Sequence, residues 1–397
     1  MTLQTSTFTK LAGLGEDYGR RLLQLEQSEP VDLISVASLA SLDTPSMMAA
    51  LQSFSEKIHI WYPILDAEFS DCVSSCLENA LSRSTDTFLL LMVLASGAIA
   101  QEPEHSEALR NRPDAVYLNP ALSMLHLVVL EQSLRSVQCL AAASIHHYML
   151  LKPVQAHNLA VTPIRKAQDL RAGGAFEGSA QHKLENWLRT YRAAMLVESE
   201  LAIPFCFAET DAWEREDNIP VATGSDVWTF EANSPSPLPT TPGSIIATDS
   251  GGIVTYFLTE IAMRRMLRRH TTSVSASSDG TVEYAPLIAR ELEAQIEQWY
   301  SFLPESLRFP RDLGVLDAFH RNRTLSPHAV SLCTQYWAYY VSIYWPSIVK
   351  VMGKQDRVGE KLPDECKHYF HSYQQFILSA KMALGVCLPN KWTIYAR

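Results

Sequence analysis

The chain has 397 residues, of which 47% are hydrophobic and 19% are charged, and its formal net charge is −10. This composition excludes global disorder, because enough apolar side chains are present to build a large core. The acidic balance also argues against a nucleic-acid-binding surface, which is usually basic. Only 16 residues are glycine, and this disfavours glycine-rich phosphate loops and turn-dense β architectures.

The seven cysteines are scattered along the chain and form no metal-binding motif. Only Cys72 and Cys76 lie close together, and no set of Cys and His has zinc-finger spacing. The pattern is typical of reduced, mostly buried cysteines. Residues 1–30 contain no signal peptide, and the longest apolar run, 88–100, is too short to cross a bilayer. We therefore expect no membrane association.

Helical periodicity dominates the first half of the chain. In residues 46–60 the apolar side chains recur at spacings of three and four, which predicts an amphipathic helix that ends before Pro63. The same reasoning predicts further helices over the segments 66–81, 85–100, 120–130, 133–151, 154–170 and 182–207.

The composition then changes at residues 225–250, whose Pro and Ser content predicts a long mobile loop. Helices are predicted to resume over 252–271, 284–302, 327–351 and 365–386. A Ser-rich loop is predicted over 272–279, and no run alternates for long enough to predict a strand. The sequence thus predicts an all-α fold, with a partly ordered N-terminal segment (1–44) and one large multi-helix domain (45–397) that contains the Pro/Ser-rich loop.

The sequence holds no nucleophile-elbow, P-loop, dinucleotide-binding or HExxH motif. Glu198 and Glu200 are candidate acid–base residues, but side chains two apart diverge on a helix, so such a site would need a partner from elsewhere. We expect buried or capping roles for them. The tandem pair His146 and His147 also diverges and cannot bind one ion jointly on a straight helix.

Four arginines form the one basic cluster of the chain, at positions 264, 265, 268 and 269. Three interpretations compete. The favoured one is a solvated or carboxylate-paired helix end, where the helix dipole stabilises cations. The alternatives are a site for a phosphate-bearing ligand, formed by Arg264, Arg265 and Arg268, and a nuclear-import or nucleic-acid patch.

Aromatic residues recur in the segment 336–345. Tyr336, Tyr340 and Tyr344 share one face of the predicted helix. We expect this face to pack against neighbouring helices, and the alternative is that it forms the wall of a ligand pocket.

A series of short motifs extends from about residue 45 to residue 395. It includes HIWYPIL at 59–65, LRSVQ at 134–138, IRKAQDL at 164–170, RTY at 189–191, ESEL at 198–201 and YFLTEIAMRRML at 256–267. In this order the motifs resemble the regulatory domain, or middle homology region, of fungal zinc-cluster transcription factors. The resemblance implies a helical fold and favours a structural role for the arginine cluster, which belongs to a helix typical of the family.

The same resemblance implies a transcriptional regulator in the nucleus, which we expect to control a secondary-metabolite gene cluster. It implies ligand sensing, autoinhibition or contact with a co-regulator, and neither catalytic residues nor a cofactor. The family's DNA-binding module, in which six cysteines hold two zinc ions, has no counterpart in residues 1–40. We therefore expect no specific DNA binding by this chain: either it acts through a DNA-binding or co-regulator protein, or a separate exon supplies the zinc cluster. The sequence leaves the small-molecule ligand and the oligomeric state open.

The alternative hypothesis is a repurposed all-α biosynthetic enzyme in the cytoplasm, such as a noncanonical terpene cyclase. In that hypothesis Arg264, Arg265 and Arg268 bind the diphosphate of an isoprenyl substrate, and Glu198 and Glu200 hold Mg²⁺. Aromatic faces would stabilise a carbocation. No DDxxD motif is present to support this hypothesis.

Overall fold

A computed structural model shows that the chain is all-α, as predicted. It describes residues 18–28, 43–178, 180–215, 219–220, 222, 226–230, 250–269, 274–276, 282–314, 325–353 and 362–386. Two compact units are present, Met1–Leu258 and Thr259–Arg397. Most of the predicted Pro/Ser-rich loop, 231–249, lies outside the described residues. No helix within the described ranges has the length and apolarity needed to cross a membrane.

The helices up to the division between the units are α1 (Tyr18–Ser28), α2 (Thr44–Phe54, continued by a π-helical turn, Ser55–His59), α3 (Phe69–Glu78), α4 (Thr85–Gln101), α5 (His105–Asn111), α6 (Ala115–Ser123), α7 (Leu125–Leu130), α8 (Leu134–Met149), α9 (Pro153–Ala172), α10 (Gln181–Phe205), α11 (Ala212–Arg215) and α12 (Ser250–Arg269). The division between the units falls within α12.

The second unit continues with β1 (Val274–Ala276), β2 (Val282–Tyr284), α13 (Pro286–Ser301), a 3-10 turn (Glu305–Leu307), α14 (Pro327–Gly353) and α15 (Leu362–Val386). The two strands pair antiparallel, with Ser275 opposite Glu283. The prediction of a loop over 272–279 was therefore wrong at β1, because a strand of three residues is too short to show an alternating pattern.

Helix α4 forms the centre of the first unit. All of its residues from Thr87 to Ala100 are buried, which explains why the apolar run in this segment has no polar face. The helix begins where the Ser84 side chain accepts a hydrogen bond from the backbone N–H of Thr87, at 3.1 Å. It packs against α2 and α8.

Helix α1 is attached to the start of α9 by a carboxylate. Both oxygens of the Glu26 side chain accept hydrogen bonds, one from the backbone N–H of Val154 and one from that of Gln155, each at 2.8 Å. The first N–H groups of a helix have no partner within the helix, and an anion there is also stabilised by the helix dipole. Glu26 therefore supplies a cap from a distant part of the sequence.

The aromatic face of α14 joins this helix to α13. The Tyr336 and Tyr340 hydroxyls both donate hydrogen bonds to Glu297 Oε1, at 2.7 and 2.6 Å, and the Tyr344 hydroxyl donates to Glu293 at 2.9 Å. All three tyrosines are buried. The predicted core packing of this face is confirmed, and the phenolic hydroxyls find carboxylate partners at its edge.

Candidate functional site

The first unit contains an extended segment that runs through its interior between α2 and α3. The residues from Ile60 to Asp66 are buried, although Pro63 and the irregular backbone of this segment prevent a helix. A buried chain that makes few helical or sheet hydrogen bonds must find other partners for its carbonyl groups. For the carbonyls of Pro63 and Ile64, those partners are side chains of α8 and α10.

Three side chains bind the carbonyl oxygens of this segment, and we call them the carbonyl clamp: Gln138, Arg189 and Thr190. Gln138 Nε2 donates to the Ile64 carbonyl at 2.8 Å, and the Thr190 hydroxyl donates to the same oxygen at 3.4 Å. Arg189 Nε donates to the Pro63 carbonyl at 3.1 Å. Each of the three is buried, so no water can replace these contacts without opening the core.

The carbonyl clamp extends to a second strand-like segment and to a buried acid. The other end of the Arg189 guanidinium donates to the Asp226 carbonyl at 3.2 Å, and the backbone N–H of Trp228 donates to the Leu65 carbonyl at 3.2 Å. The Asn186 amide donates to the Asp66 carboxylate. Burial raises the pKa of Asp66, and the nearby arginines oppose that shift.

His59 lies at the start of the extended segment and is fully buried. Its Nε2 accepts a hydrogen bond from the Leu65 N–H at 3.0 Å, and its ring meets the Trp228 ring edge-on. Burial, together with the charge of Arg189, lowers the pKa of His59 from 6.5 to about 3. His59 is therefore neutral in the folded chain at any pH near neutrality.

The buried neutral state of His59 predicts an acid-sensitive fold. In the unfolded chain this histidine takes up a proton below pH 6.5, whereas in the folded chain it does so only near pH 3. Lowering the pH from 7.5 to 5 should therefore remove about 2 kcal/mol from the free energy of unfolding through this residue alone. Urea unfolding at the two pH values measures this loss.

The matched variant for this prediction is His59→Gln, whose amide oxygen can still accept from the Leu65 N–H. Its free energy of unfolding should depend less on pH than that of the wild type, by about 2 kcal/mol over the same interval. His126→Gln is the control, because His126 is exposed on the surface of the first unit. Equal pH dependence of the wild type and His59→Gln would contradict the assignment.

Glu198 and Glu200 are both buried on α10 and have different partners. Glu198 accepts hydrogen bonds from the backbone N–H and the hydroxyl of Thr210, at 2.6 and 2.9 Å. Glu200 accepts one from the Tyr62 hydroxyl at 2.8 Å, and burial followed by the Glu200 charge raises the pKa of that tyrosine. The expected divergence and burial of the two carboxylates are confirmed. Their role in holding Mg²⁺ stays a prediction.

The arginine cluster lies on α12, where the side chains of Arg264, Arg265 and Arg268 are partly exposed. Arg264 Nε donates to Glu260 Oε1 at 3.2 Å, and the other oxygen of this buried carboxylate accepts from Gln335 Nε2 at 2.7 Å. The carboxylate-paired interpretation is thus confirmed for Arg264. Arg265 and Arg268 are intermediate in exposure, and the role of these three arginines in binding a ligand stays a prediction.

A buried chain of polar residues around His146 was missed by the sequence analysis. His146 Nδ1 lies 3.1 Å from the Ser96 hydroxyl, and Nε2 lies 3.1 Å from Asp114, which also binds Arg112. Serine, histidine and aspartate recur in this combination in hydrolases. Here all three are buried, the order of the ring nitrogens is reversed, and the Ser96 hydroxyl donates to the Met92 carbonyl at 2.9 Å. This cluster links α4, α8 and the start of α6.

Two other polar side chains, His147 and Lys166, bind backbone carbonyl groups of the first unit. The second histidine of the tandem pair, His147, contacts the Ala143 carbonyl through Nδ1 at 2.8 Å, so the two rings have separate partners as expected. Lys166 donates to the Val129 carbonyl at 2.8 Å and thereby caps the end of α7.

Among the described residues, no three His, Cys, Asp or Glu side chains are grouped so that they could hold a metal ion.

The part of the chain that holds the carbonyl clamp also matches a known protein family. The profile of the fungal specific transcription factor domain matches residues 51–190, which include the extended segment and the whole carbonyl clamp. "Putative transcription factor ecdB" of Aspergillus rugulosus is 32% identical over 416 aligned residues, which cover 99% of this chain and 69% of the relative. No solved structure matches the chain.

Proposed function

Since this chain belongs to the family of fungal-specific transcription factors and is a transcriptional regulator, we propose that it controls a secondary-metabolite gene cluster from within the nucleus. The observation that carries the family is the 32% identity with a transcription factor over 99% of the chain. The clamp supports it, because the motifs of the extended segment and of α10 that resemble the family meet in one buried network. These motifs therefore maintain the regulatory fold.

The proposal includes a DNA-binding module that is not part of these 397 residues. Cysteines at 72, 76, 139, 206, 333, 366 and 387 are too widely spread to hold a two-zinc cluster. Four of the first five are buried, so they are part of the core. Specific DNA recognition then comes from a zinc-cluster module outside these 397 residues, either on a partner protein or elsewhere in the same protein.

A deletion strain tests the proposal. Transcripts of a set of neighbouring genes should fall together in the deletion strain and recover when the wild-type gene is returned, and RNA sequencing measures both changes. The control is a strain that receives a copy with an early stop codon, which carries the same DNA but no protein. Unchanged transcripts together with the loss of a single metabolite would contradict a regulator and favour the enzyme hypothesis.

A further inference from the structure

Helix α15 carries an apolar stripe whose side chains are about half exposed. We define this α15 stripe by four side chains: Phe370 (61% exposed), Tyr373 (45%), Ile377 (47%) and Leu384 (60%). Their separations of three, four and seven residues place them on one side of the helix, over a length of about 21 Å. Contiguous apolar side chains at this spacing are typical of a surface that receives another helix.

The inner face of α15 is already occupied within the second unit. The Tyr369 ring lies 5.7 Å from the Trp345 ring of α14, and the His368 ring stacks on Tyr344 at 5.4 Å. Tyr369 and Ala383 are buried in this contact. The stripe is therefore not the face of α15 that packs against α14 but a second apolar face, and contacts among the described residues of this unit do not bury it.

The charge beside the stripe indicates what kind of partner it fits. Lys367, His371 and Lys381 are exposed along its free edge, and Lys367 pairs with Asp364 in the first turn of α15. From residue 366 to residue 386 the helix contains no Asp or Glu, although the chain as a whole has a net charge of −10. A partner helix with carboxylates beside its own apolar stripe would match both features.

A second copy of the chain fits less well. Two α15 stripes in contact would bring Lys381 of both copies to the same interface, whereas Asp364, in the first turn of the helix, already binds Lys367. Like charges at the flanks of a helical seam disfavour pairing. The charge pattern therefore argues for a different polypeptide rather than for self-association.

We propose that the α15 stripe is a docking site for an acidic amphipathic helix of a partner protein. The partner's apolar residues, spaced as i, i+3, i+4 and i+7, pack against Phe370, Tyr373, Ile377 and Leu384. Its Glu or Asp side chains lie opposite Lys367 and Lys381. This inference goes beyond the control of a gene cluster and does not depend on it, since it rests only on the surface of the second unit.

A displayed peptide library tests the proposal on the full chain. Each peptide carries a fixed Leu/Phe stripe at helical spacing, and its flanking positions are randomised among Glu, Gln and Lys. Selection should enrich Glu over Lys at the flanks. A selected peptide, labelled and measured by fluorescence anisotropy, should bind about tenfold or more weakly to Phe370→Ser/Ile377→Ser, as expected for the loss of central anchors.

Two further variants keep the test decisive. Leu287→Ser is the matched control, because Leu287 is 79% exposed on α13 and lies outside the stripe, so binding should not change. Lys367→Glu/Lys381→Glu should reverse the preference and select peptides with Lys at the flanks. Circular dichroism checks that each variant is folded.

Three results would overturn the proposal. The first is a selection that does not favour Glu over Lys. The second is equal affinity of the selected peptide for the wild type and for Phe370→Ser/Ile377→Ser. The third is a dimer, detected by sedimentation equilibrium, that this double variant abolishes, since the stripe would then serve a second copy of the chain.

Discussion

Replacing Gly97 by alanine should prevent the first unit from forming its native core. A Cβ atom at this position would lie 2.0 Å from the carbonyl oxygen of Ala50 and 2.7 Å from its carbonyl carbon. Both atoms belong to the backbone of α2, so no side-chain rotation can relieve the overlap. Helix α2 would have to move away from α4, the fully buried centre of the unit.

Gly97→Ala should lower the free energy of unfolding by more than the usual amount for a methyl group added to a core. Overpacking a core typically costs about 1–3 kcal/mol and costs more where the backbone must shift. Because a domain is stable by only about 5–15 kcal/mol, we expect Gly97→Ala to give little soluble protein or a strongly lowered melting temperature. Thermal unfolding followed by circular dichroism measures the effect.

Gly252→Ala is the matched control for this prediction. Gly252 also lies in a helix, α12, but a Cβ built there meets no atom within 4 Å. Alanine favours the helix over glycine by up to about 1 kcal/mol, so this variant should melt at or slightly above the wild-type temperature. If Gly97→Ala melted like the wild type, the close approach of α2 to α4 would be wrong.

Gly97 also shows where prediction from the sequence ends. The apolar run 88–100 predicts a helix buried on all sides, because that inference needs only the composition of one segment. That its glycine touches Ala50 depends on two segments 47 positions apart meeting in the fold. A glycine in a helix signals a close approach, but periodicity does not say to which residue.

In the candidate site too, contacts within one helix could be predicted from the sequence, whereas contacts between distant segments could not. The divergence of Glu198 and Glu200 and the pairing of Arg264 with Glu260 follow from helical spacing, so they could be anticipated. The partners Thr210 and Tyr62 could not, because they lie on other segments. The family motifs could be recognised as a series, but only the fold shows that those at 134–138 and 189–191 bind the carbonyls of the extended segment.

The carbonyl clamp depends most on Arg189, and we expect Arg189→Met to destabilise the first unit by about 3–5 kcal/mol. Methionine fills part of the same volume but donates no hydrogen bond. The Pro63 carbonyl would lose a buried donor, the Asp226 carbonyl would keep only the Ala67 N–H, and the buried Asp66 would lose a neighbouring positive charge. Unsatisfied buried groups carry the full cost of their desolvation. Urea unfolding of the variant measures the loss.

Arg189→Lys refines this expectation. Lysine keeps the charge, but a single ammonium group cannot reproduce the planar guanidinium that reaches the Pro63 carbonyl through Nε and the Asp226 carbonyl through its other end. The free energy of unfolding should therefore lie between those of the wild type and Arg189→Met. Arg165→Met is the matched control, since Arg165 is exposed on α9, and its stability should stay within about 0.5 kcal/mol of the wild type.

A second measurement separates loss of the clamp from general weakening of the fold. If Arg189 holds the extended segment, the segment should open locally in Arg189→Lys before the unit unfolds. Chymotrypsin should then cut after Trp61, which is buried in the native protein, faster than in the wild type under conditions where both are folded. A wild-type rate of cleavage after Trp61 would contradict the clamp and leave Arg189 only a general part of the core. Faster cleavage confined to this segment would show that the family motif of α10 holds the family motif of the extended segment in place.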